Sequence, residues 1–254
     1  MSPSKPWPYP RIVAHRGGGR HAPENTLAAI RLGQSLGYRA HEFDVKLSRD
    51  GVALLMHDAT LERTTNGKGR AADLSWVELQ RLDAGAWHSE AFRGERIPSF
   101  EAVAKALRER ETMAHIEIKP TPGFDAMTGR HVAMETQRLW TGAAVSPIFS
   151  SFSYEALMAA KDVAPEIPRG WLIDQFTEAD WERLRALDAT SLHTNHKKFD
   201  VAWVAPLHEA GYRIMLYTVN EVDRAKALLD AGVDGVFTDE LELFRPLSSP
   251  RGAP

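Results

Sequence analysis

The sequence predicts an α/β protein whose parallel strands close into an eight-stranded (β/α)8 barrel, with a small insertion after the second strand. Two observations carry this. Short β-rich runs alternate with amphipathic helical runs along the 254 residues. One further run, Val52–His57, follows its predecessor too closely to be parallel to it, and setting it aside leaves eight strands.

The elements follow in order. The first strand is Arg11–His15, apolar through Ile12-Val13-Ala14. Helix Thr26–Leu36 comes next, with Asn25 or Thr26 as its cap and Gly37 as its C′ residue. The second strand, His41–Leu47, is separated from Val52–His57 only by Ser48-Arg49-Asp50-Gly51, whereas a parallel crossover needs about a dozen residues. This is a hairpin turning at Asp50-Gly51. Asp44 lies about six residues before that turn and His57 about six after it, so the hairpin returns His57 to the level of Asp44, above the barrel rim.

Residues 47–98 form the insertion, with turns at Asn66-Gly67 and Lys68-Gly69 and a short helix near Ser75–Leu82. With its aromatics Trp76, Trp87 and Phe92, the insertion is placed to cap the barrel mouth. Beyond it, Ser99 precedes helix Phe100–Arg110 and strand Met113–Lys119. Helix His131–Trp140 and strand Ser146–Phe152 follow; Ser153 then caps helix Tyr154–Val163. Strand Arg169–Ile173 leads through Thr177 to helix Glu178–Leu187 and strand Ala189–Thr194. Helix Val201–Glu209 ends at Gly211, strand Tyr212–Val219 follows, and helix Val222–Leu229 ends at Gly232 before the last strand, Gly235–Thr238. The tail from Pro246 is expected to fray. Residues 1–254 thus read as one TIM-barrel domain without repeats or linkers.

Composition narrows the function. Hydrophobic residues are 43% and charged residues 26%, enough for a real core. A net charge of −3 without a basic block gives no nucleic-acid surface. The absence of cysteine excludes disulfides, thiolate metal sites and cysteine nucleophiles. No run approaches the ~18 apolar residues of a membrane helix, so no stable membrane insertion is expected. Met1–Pro10 holds four prolines and no apolar core of a signal peptide, and the expected compartment is the cytoplasm.

The chemistry-bearing residues sit near strand ends. Glu42 and Asp44 alternate on one strand and therefore point the same way. Neighbouring carboxylates repel unless a positive group lies between them, and a divalent cation with oxygen ligands is the usual solution. A solvated acidic strand end is the alternative. Glu117 adds a third acid on the inward face of the third barrel strand, with His115 and Lys119 in phase; an internal Glu117–Lys119 ion pair is the competing reading. His15 and His57 both lie near these acids and form a plausible acid/base pair, although a lone histidine after a strand is more often structural. The planar fork of Arg16 suits a pair of phosphate oxygens.

Other polar residues have weaker claims. Ser150, Ser151 and Phe152, the run His193, Asn195, His196 and Lys197, and Tyr217 with Asn220 follow strand ends, where packing or loop roles compete with a site role. His21, His88, His131 and His208 read as surface residues. Gly17-Gly18-Gly19-Arg20-His21-Ala22 matches a dinucleotide-binding glycine pattern, but Pro23 stands where that helix would already be running.

Taken together, His15-Arg16-Gly17, Pro23-Glu24-Asn25-Thr26, Glu42-Phe43-Asp44-Val45, Asp50-Gly51, His57-Asp58, Glu117-Ile118-Lys119, Ser151-Phe152, Tyr217-Thr218-Val219-Asn220 and Gly232-Val233-Asp234-Gly235 with Thr238-Asp239 resemble the glycerophosphodiester phosphodiesterases, in order across nearly the whole chain. Trp7-Pro8-Tyr9-Pro10-Arg11 and His193-Thr194-Asn195-His196-Lys197 look most like the bacterial cytoplasmic branch. The resemblance implies a barrel with one divalent metal ion (Mg²⁺ or Ca²⁺, with Mn²⁺ a third option) on Glu42, Asp44 and Glu117. It implies His15 and His57 as acid and base, and Arg16 and Lys119 on the phosphate. The implied reaction hydrolyses small glycerophosphodiesters to sn-glycerol 3-phosphate and an alcohol, with water or the glycerol 2-hydroxyl attacking; the family route is the latter. A lysophospholipase D-like diesterase and a non-catalytic phosphate-ester-binding barrel are the alternatives. Tyr217, where the family commonly has Trp, and Glu240-Leu241, where it has Pro, depart from the pattern and bear on substrate preference rather than on the metal or the histidines.

Overall fold

Strands buried on both faces, one toward the barrel interior and one toward the helices, are what shape the molecule. The computed structural model describes residues 7–248. Its strands are β1 (Ile12–Ala14), β2 (Ala40–Leu47), β3 (Ala53–Leu55), β4 (Met113–Ile118), β5 (Ile148–Ser151), β6 (Arg169–Ile173), β7 (Ser191–Asn195), β8 (Arg213–Tyr217) and β9 (Gly235–Thr238). All but β3 pair in parallel, and the barrel closes through β1, where Ala14 is in register with both Thr238 and His41. The eight-stranded parallel barrel expected from the βα alternation is therefore present. β3 runs antiparallel on β2, with Val45 opposite Leu55, and the Met56 amide donates to the Asp44 carbonyl at 3.1 Å. The hairpin brings His57 back beside Asp44, as the residue count requires. Gly51 at its tip has φ +80, a left-handed conformation that favours glycine.

The helices α1 (Leu27–Ser35), α2 (Trp76–Leu79), α3 (Phe100–Glu109), α4 (Asp125–Leu139), α5 (Tyr154–Val163), α6 (Asp180–Ala186), α7 (Val204–Glu209), α8 (Val222–Asp230) and α9 (Leu241–Ser248) include those that surround the barrel and, in α2, one short helix of the insertion. Outward strand residues such as Phe43, Ile116 and Phe149 meet helix residues in one large apolar cluster. Within it Phe43 stacks near Phe100 (6.2 Å between ring centres), and Phe100 near Trp140 (5.7 Å). Inward residues Val13, Ala40, Met215 and Phe237 fill the barrel interior. Tyr9 closes its lower end, donating to the Ser146 carbonyl at 2.9 Å.

Three expectations need correction. α4 starts at Asp125 rather than His131: Gly129 obscured its first turns in the sequence, yet a side chain there would run into the Ala156 backbone of α5. α9 continues through Pro246, where a frayed tail was expected, because Leu241 and Phe244 are fully buried and draw it onto the barrel; the rest of that tail, 249–254, and residues 1–6 lie outside the described residues. The insertion's aromatics do not line the mouth. Its small core is Leu54, Met56, Leu61, Ala71, Leu79, Ala84 and Ile97, with Trp76 packed against it, while Trp87 is exposed and meets His88. Among the described residues no helix is long and apolar enough to cross a membrane.

Phe100 joins α3 to the outer, apolar face of the strand layer through Phe43. Phe100→Ala should lower unfolding free energy by about 3–5 kcal/mol in urea titrations followed by circular dichroism. A loss below about 1 kcal/mol would contradict its place in the core.

Candidate active site

The C-terminal ends of β1, β2, β4 and β9 and the returning hairpin converge on one cavity of about 260 Å³, whose lining includes His15, Arg16, Glu42, His57, Glu117, Lys119, Phe152, His193 and Tyr217. Glu42 and Asp44 both face it from β2, as their alternation requires, and Glu117 is paired with Asp44 across to β4. Ligand oxygens of Glu42, Asp44 and Glu117 lie within 4.8 Å of one another, and all three residues are buried.

Three buried carboxylates need compensation, and the surroundings supply it unequally. Asp44 receives most of it. The Asn25 side-chain amide donates to its Oδ2 at 2.7 Å, and its own backbone N–H donates to Asn25 Oδ1 at 3.0 Å. Lys119 Nζ lies 3.6 Å from Oδ1 and Arg16 Nε 3.8 Å from Oδ2. Burial pushes its carboxyl up, but the charges of Lys119, Arg16 and His57 and the Asn25 bond prevail and hold it below the usual range. Glu42 accepts the Arg16 backbone N–H at 2.9 Å, yet burial and then the neighbouring Asp44 charge push it up to about 8. Glu117 accepts from Lys119 Nζ at 2.6 Å and is pushed up to about 7 for the same two reasons.

Two atoms here are buried without a hydrogen bond: the acceptor Asp44 Oδ1 and the donor Arg16 Nε. Such groups are costly in a finished interior. An all-oxygen donor set with an orphaned carboxylate oxygen fits a hard divalent cation, and an orphaned guanidinium N–H beside it fits an anion.

Each histidine is fixed by an aspartate. His15 Nδ1 donates to Asp239 Oδ1 at 2.7 Å, and its Nε2 lies 3.8 Å from Glu42. Asp239 is clamped by Asn220, which donates to Oδ2 at 3.0 Å and accepts the Asp239 N–H at 2.8 Å. His57 Nδ1 donates to Asp58 Oδ1 at 2.7 Å, and Asp58 Oδ2 accepts from Arg63 Nε at 2.6 Å. The surroundings differ in sign. Burial disfavours a charged His15, but the Asp239 bond and the charges of Glu42 and Asp239 outweigh it, and its affinity for a proton is raised. For His57 burial dominates, Arg16 and Lys119 work in the same direction, and its affinity is lowered despite Asp44 and Asp58.

All seven residues singled out for metal, proton transfer and phosphate meet in this mouth, with Lys46 Nζ, buried on β2, holding the Lys119 carbonyl at 3.0 Å. Sequence reasoning missed the second rank. Asn25 does not cap α1; Thr26 does, accepting the Ala29 N–H, while Asn25 holds Asp44 from a left-handed conformation at φ 58. Asp58, Glu24 and Asp239 stood in matched motifs without an assigned role, and Asn220 only as a strand-end residue with a site role in competition with packing or a loop.

His193 lies inside β7, within the strand expected at Ala189–Thr194; it is buried with its Nε2 2.9 Å from Ser191 Oγ, in space that a glycine at 170 leaves open, and it lines the cavity. Asn195 bonds Asp174 instead of facing the cavity. Phe152 and Tyr217 meet edge to face at 6.0 Å in the cavity wall, and Tyr217 is anchored by donating to the Ile173 carbonyl at 2.9 Å. Ser150 also lines the cavity, whereas Ser151 serves packing, donating to the Ile118 carbonyl at 2.6 Å.

Comparison with known proteins gives a consistent picture. The model of the "Glycerophosphoryl diester phosphodiesterase family" matches residues 15–243. A glycerophosphodiester phosphodiesterase of Caldanaerobacter subterraneus subsp. tengcongensis is 32% identical over 237 residues, covering 91% of this chain and 94% of that one. A phosphodiesterase of Oleispira antarctica, solved in complex with the product sn-glycerol-3-phosphate, superposes with a TM-score of 0.87 at 34% identity over 94% of this chain and 96% of that one. A glycerophosphodiester phosphodiesterase of Agrobacterium tumefaciens gives 0.78 at 29% identity over 94% of this chain and all (100%) of that one.

A cation on these carboxylates must displace the protons that burial keeps on Glu42 and Glu117. Affinity for Mg²⁺, Ca²⁺ or Mn²⁺ should therefore fall as pH drops through about 8 to 7, with proton release on binding. Calorimetry in buffers of different ionisation enthalpy reads this directly. Binding without proton release at pH 7 would contradict it, as would undiminished affinity in Asp44→Asn.

Proposed function

The chain belongs to the glycerophosphoryl diester phosphodiesterase family, and on that premise we propose that it hydrolyses small glycerophosphodiesters to sn-glycerol 3-phosphate and an alcohol, with His15 and His57 moving the protons. The observation that carries this reading is the convergence of Glu42, Asp44 and Glu117 with two aspartate-held histidines and two cations around one cavity. The Oleispira relative's complex with sn-glycerol-3-phosphate supports the same product.

Arg16 and Lys119 flank the carboxylates and would bind the non-bridging phosphoryl oxygens, Arg16 through the Nε–H that makes no hydrogen bond. A divalent cation held by Glu42, Asp44 and Glu117 would add positive charge for the phosphoryl oxygens and acidify a hydroxyl brought to it. With one diester charge and three carboxylates, that cation, Arg16 and Lys119 leave the assembled site near neutral.

The two histidines divide the proton transfers according to what stands behind each aspartate. Asp239 is backed by the neutral amide of Asn220, so its full charge acts on His15. Asp58 shares its charge with Arg63, and His57 also faces Arg16 and Lys119. His57 is therefore the base that takes the proton from the attacking glycerol 2-hydroxyl, and His15 the acid that protonates the departing alkoxide as its P–O bond breaks. The resulting cyclic phosphate is opened by water in reverse roles: His15 takes the water proton and His57 returns its proton to the 2-oxygen. sn-Glycerol 3-phosphate remains.

Substrates with different leaving groups separate the two roles. His57→Ala should lower kcat by about 10²–10⁴-fold for glycerophosphocholine and for a p-nitrophenyl glycerophosphodiester alike. His15→Ala should be comparably impaired on choline release but recover on p-nitrophenolate, which leaves without a proton. Recovery by His57→Ala instead would reverse the assignment. Glu117→Ala should lose cation affinity while His57→Ala keeps it. Normal hydrolysis by both of these variants would overturn the site.

A further inference from the structure

Arg63 belongs to the insertion, lies outside the barrel, and does not line the cavity, yet it touches the partners of two site residues at once. Its Nε donates to Asp58 Oδ2 at 2.6 Å and its NH2 to Asp58 Oδ1 at 3.1 Å. Its NH1 donates to Glu24 Oε2 at 2.7 Å and its NH2 also to Glu24 Oε1 at 2.8 Å. The same Glu24 Oε1 accepts from Arg16 NH1 at 2.8 Å, and the same Asp58 Oδ1 accepts from His57 Nδ1 at 2.7 Å. One guanidinium thus uses all three nitrogens to bridge the carboxylate that holds Arg16 and the carboxylate that holds His57.

We infer that Arg63 is a positioning residue that sets His57 through Asp58 and Arg16 through Glu24, making the base and the phosphate contact one mechanical unit. The inference rests on the roles proposed above for His57 and Arg16.

The geometry suits this task. The turn carrying Arg63 is fixed: Leu61 is fully buried in the insertion core, and the Leu61 carbonyl accepts both the Thr65 N–H at 3.0 Å and the Thr65 hydroxyl at 2.7 Å. Glu24 precedes Asn25, whose N–H donates to the Arg16 carbonyl at 3.1 Å, and Arg16 itself holds a left-handed backbone at φ 49, uncommon for a side chain of its size. A residue so placed needs an external hold on its side chain to aim it. Only a planar fork spans two carboxylates with four bonds; a lysine ammonium of similar reach does not. An exposed salt bridge serving merely to fasten the insertion would contribute little. Here the same bonds also orient groups that face the substrate, and partners that orient functional ligands typically matter about 10–100-fold in activity.

The test uses the full chain loaded with its divalent cation and glycerophosphocholine as substrate. Arg63→Ala should lower kcat about 10–100-fold and raise KM, since base and phosphate contact are both loosened. Arg63→Lys keeps charge and stem, and so preserves the fold should the alanine variant lose it; it should remain impaired. Arg93→Ala, which breaks an exposed pair with Glu90 in the same insertion, should leave turnover near wild type. The deciding readout is coupling: in kcat, Arg63→Ala should cost less in a His57→Ala background than in the wild type, because the part of its effect that acts through that imidazole is already gone and only the Glu24–Arg16 arm is left to lose. Wild-type turnover in folded Arg63→Ala or in Arg63→Lys would overturn the inference. So would a double variant slower than His57→Ala by the full factor of the arginine change, the signature of a general brace. Wild-type turnover in His57→Ala would overturn the reading of the site itself, an outcome distinct from failure of Arg63 alone.

Discussion

Three carboxylates forced together at the buried mouth of a barrel are the constraint on which the rest of the site depends. Two of them alternate on β2 and the third stands in register on β4, so the pleat itself aims all three at one point. No rotamer change removes their mutual repulsion while the strands stay paired. The residues around them can be understood as responses. Asn25 and Lys119 hold Asp44 ionised, the Arg16 backbone steadies Glu42, and an uncompensated oxygen on Asp44 remains for a cation. A protein selected only for stability would place apolar residues here.

The same electrostatics divides two chemically identical histidines. Both are held through Nδ1 by an aspartate at 2.7 Å, which fixes the tautomer and turns Nε2 away from the aspartate. What differs is one step further out: an amide behind Asp239 and a guanidinium behind Asp58. A neutral partner leaves the aspartate charge whole, and a cationic one offsets it. The insertion matters because it carries one complete arm of this arrangement (His57, Asp58 and Arg63), while its aromatics pack elsewhere.

Much of this was legible in the sequence, and the boundary of legibility has a physical meaning. Periodicity revealed what periodicity controls: the βα alternation, the shared face of Glu42 and Asp44, and the return of His57 by a turn count. Residues whose role depends on distant partners were not legible. Asp239 meets His15 across 224 positions of sequence, joined only because β1 and β9 are neighbours in a closed barrel. Asn25 and Thr26 are equally good caps on paper; only the position of Asp44 decides which of them caps and which clamps. The role of His193 stayed open because the space that accommodates it is a missing side chain at Gly170, on another strand.

The central claim is that the buried carboxylates act by holding a divalent cation for phosphodiester hydrolysis. It is tested most directly by stripping the purified chain of metal with a chelator, titrating a divalent cation back, and assaying sn-glycerol 3-phosphate released from glycerophosphocholine. The account predicts no turnover in the stripped protein and full recovery at one equivalent of bound cation per chain. Undiminished turnover after exhaustive chelation would contradict it.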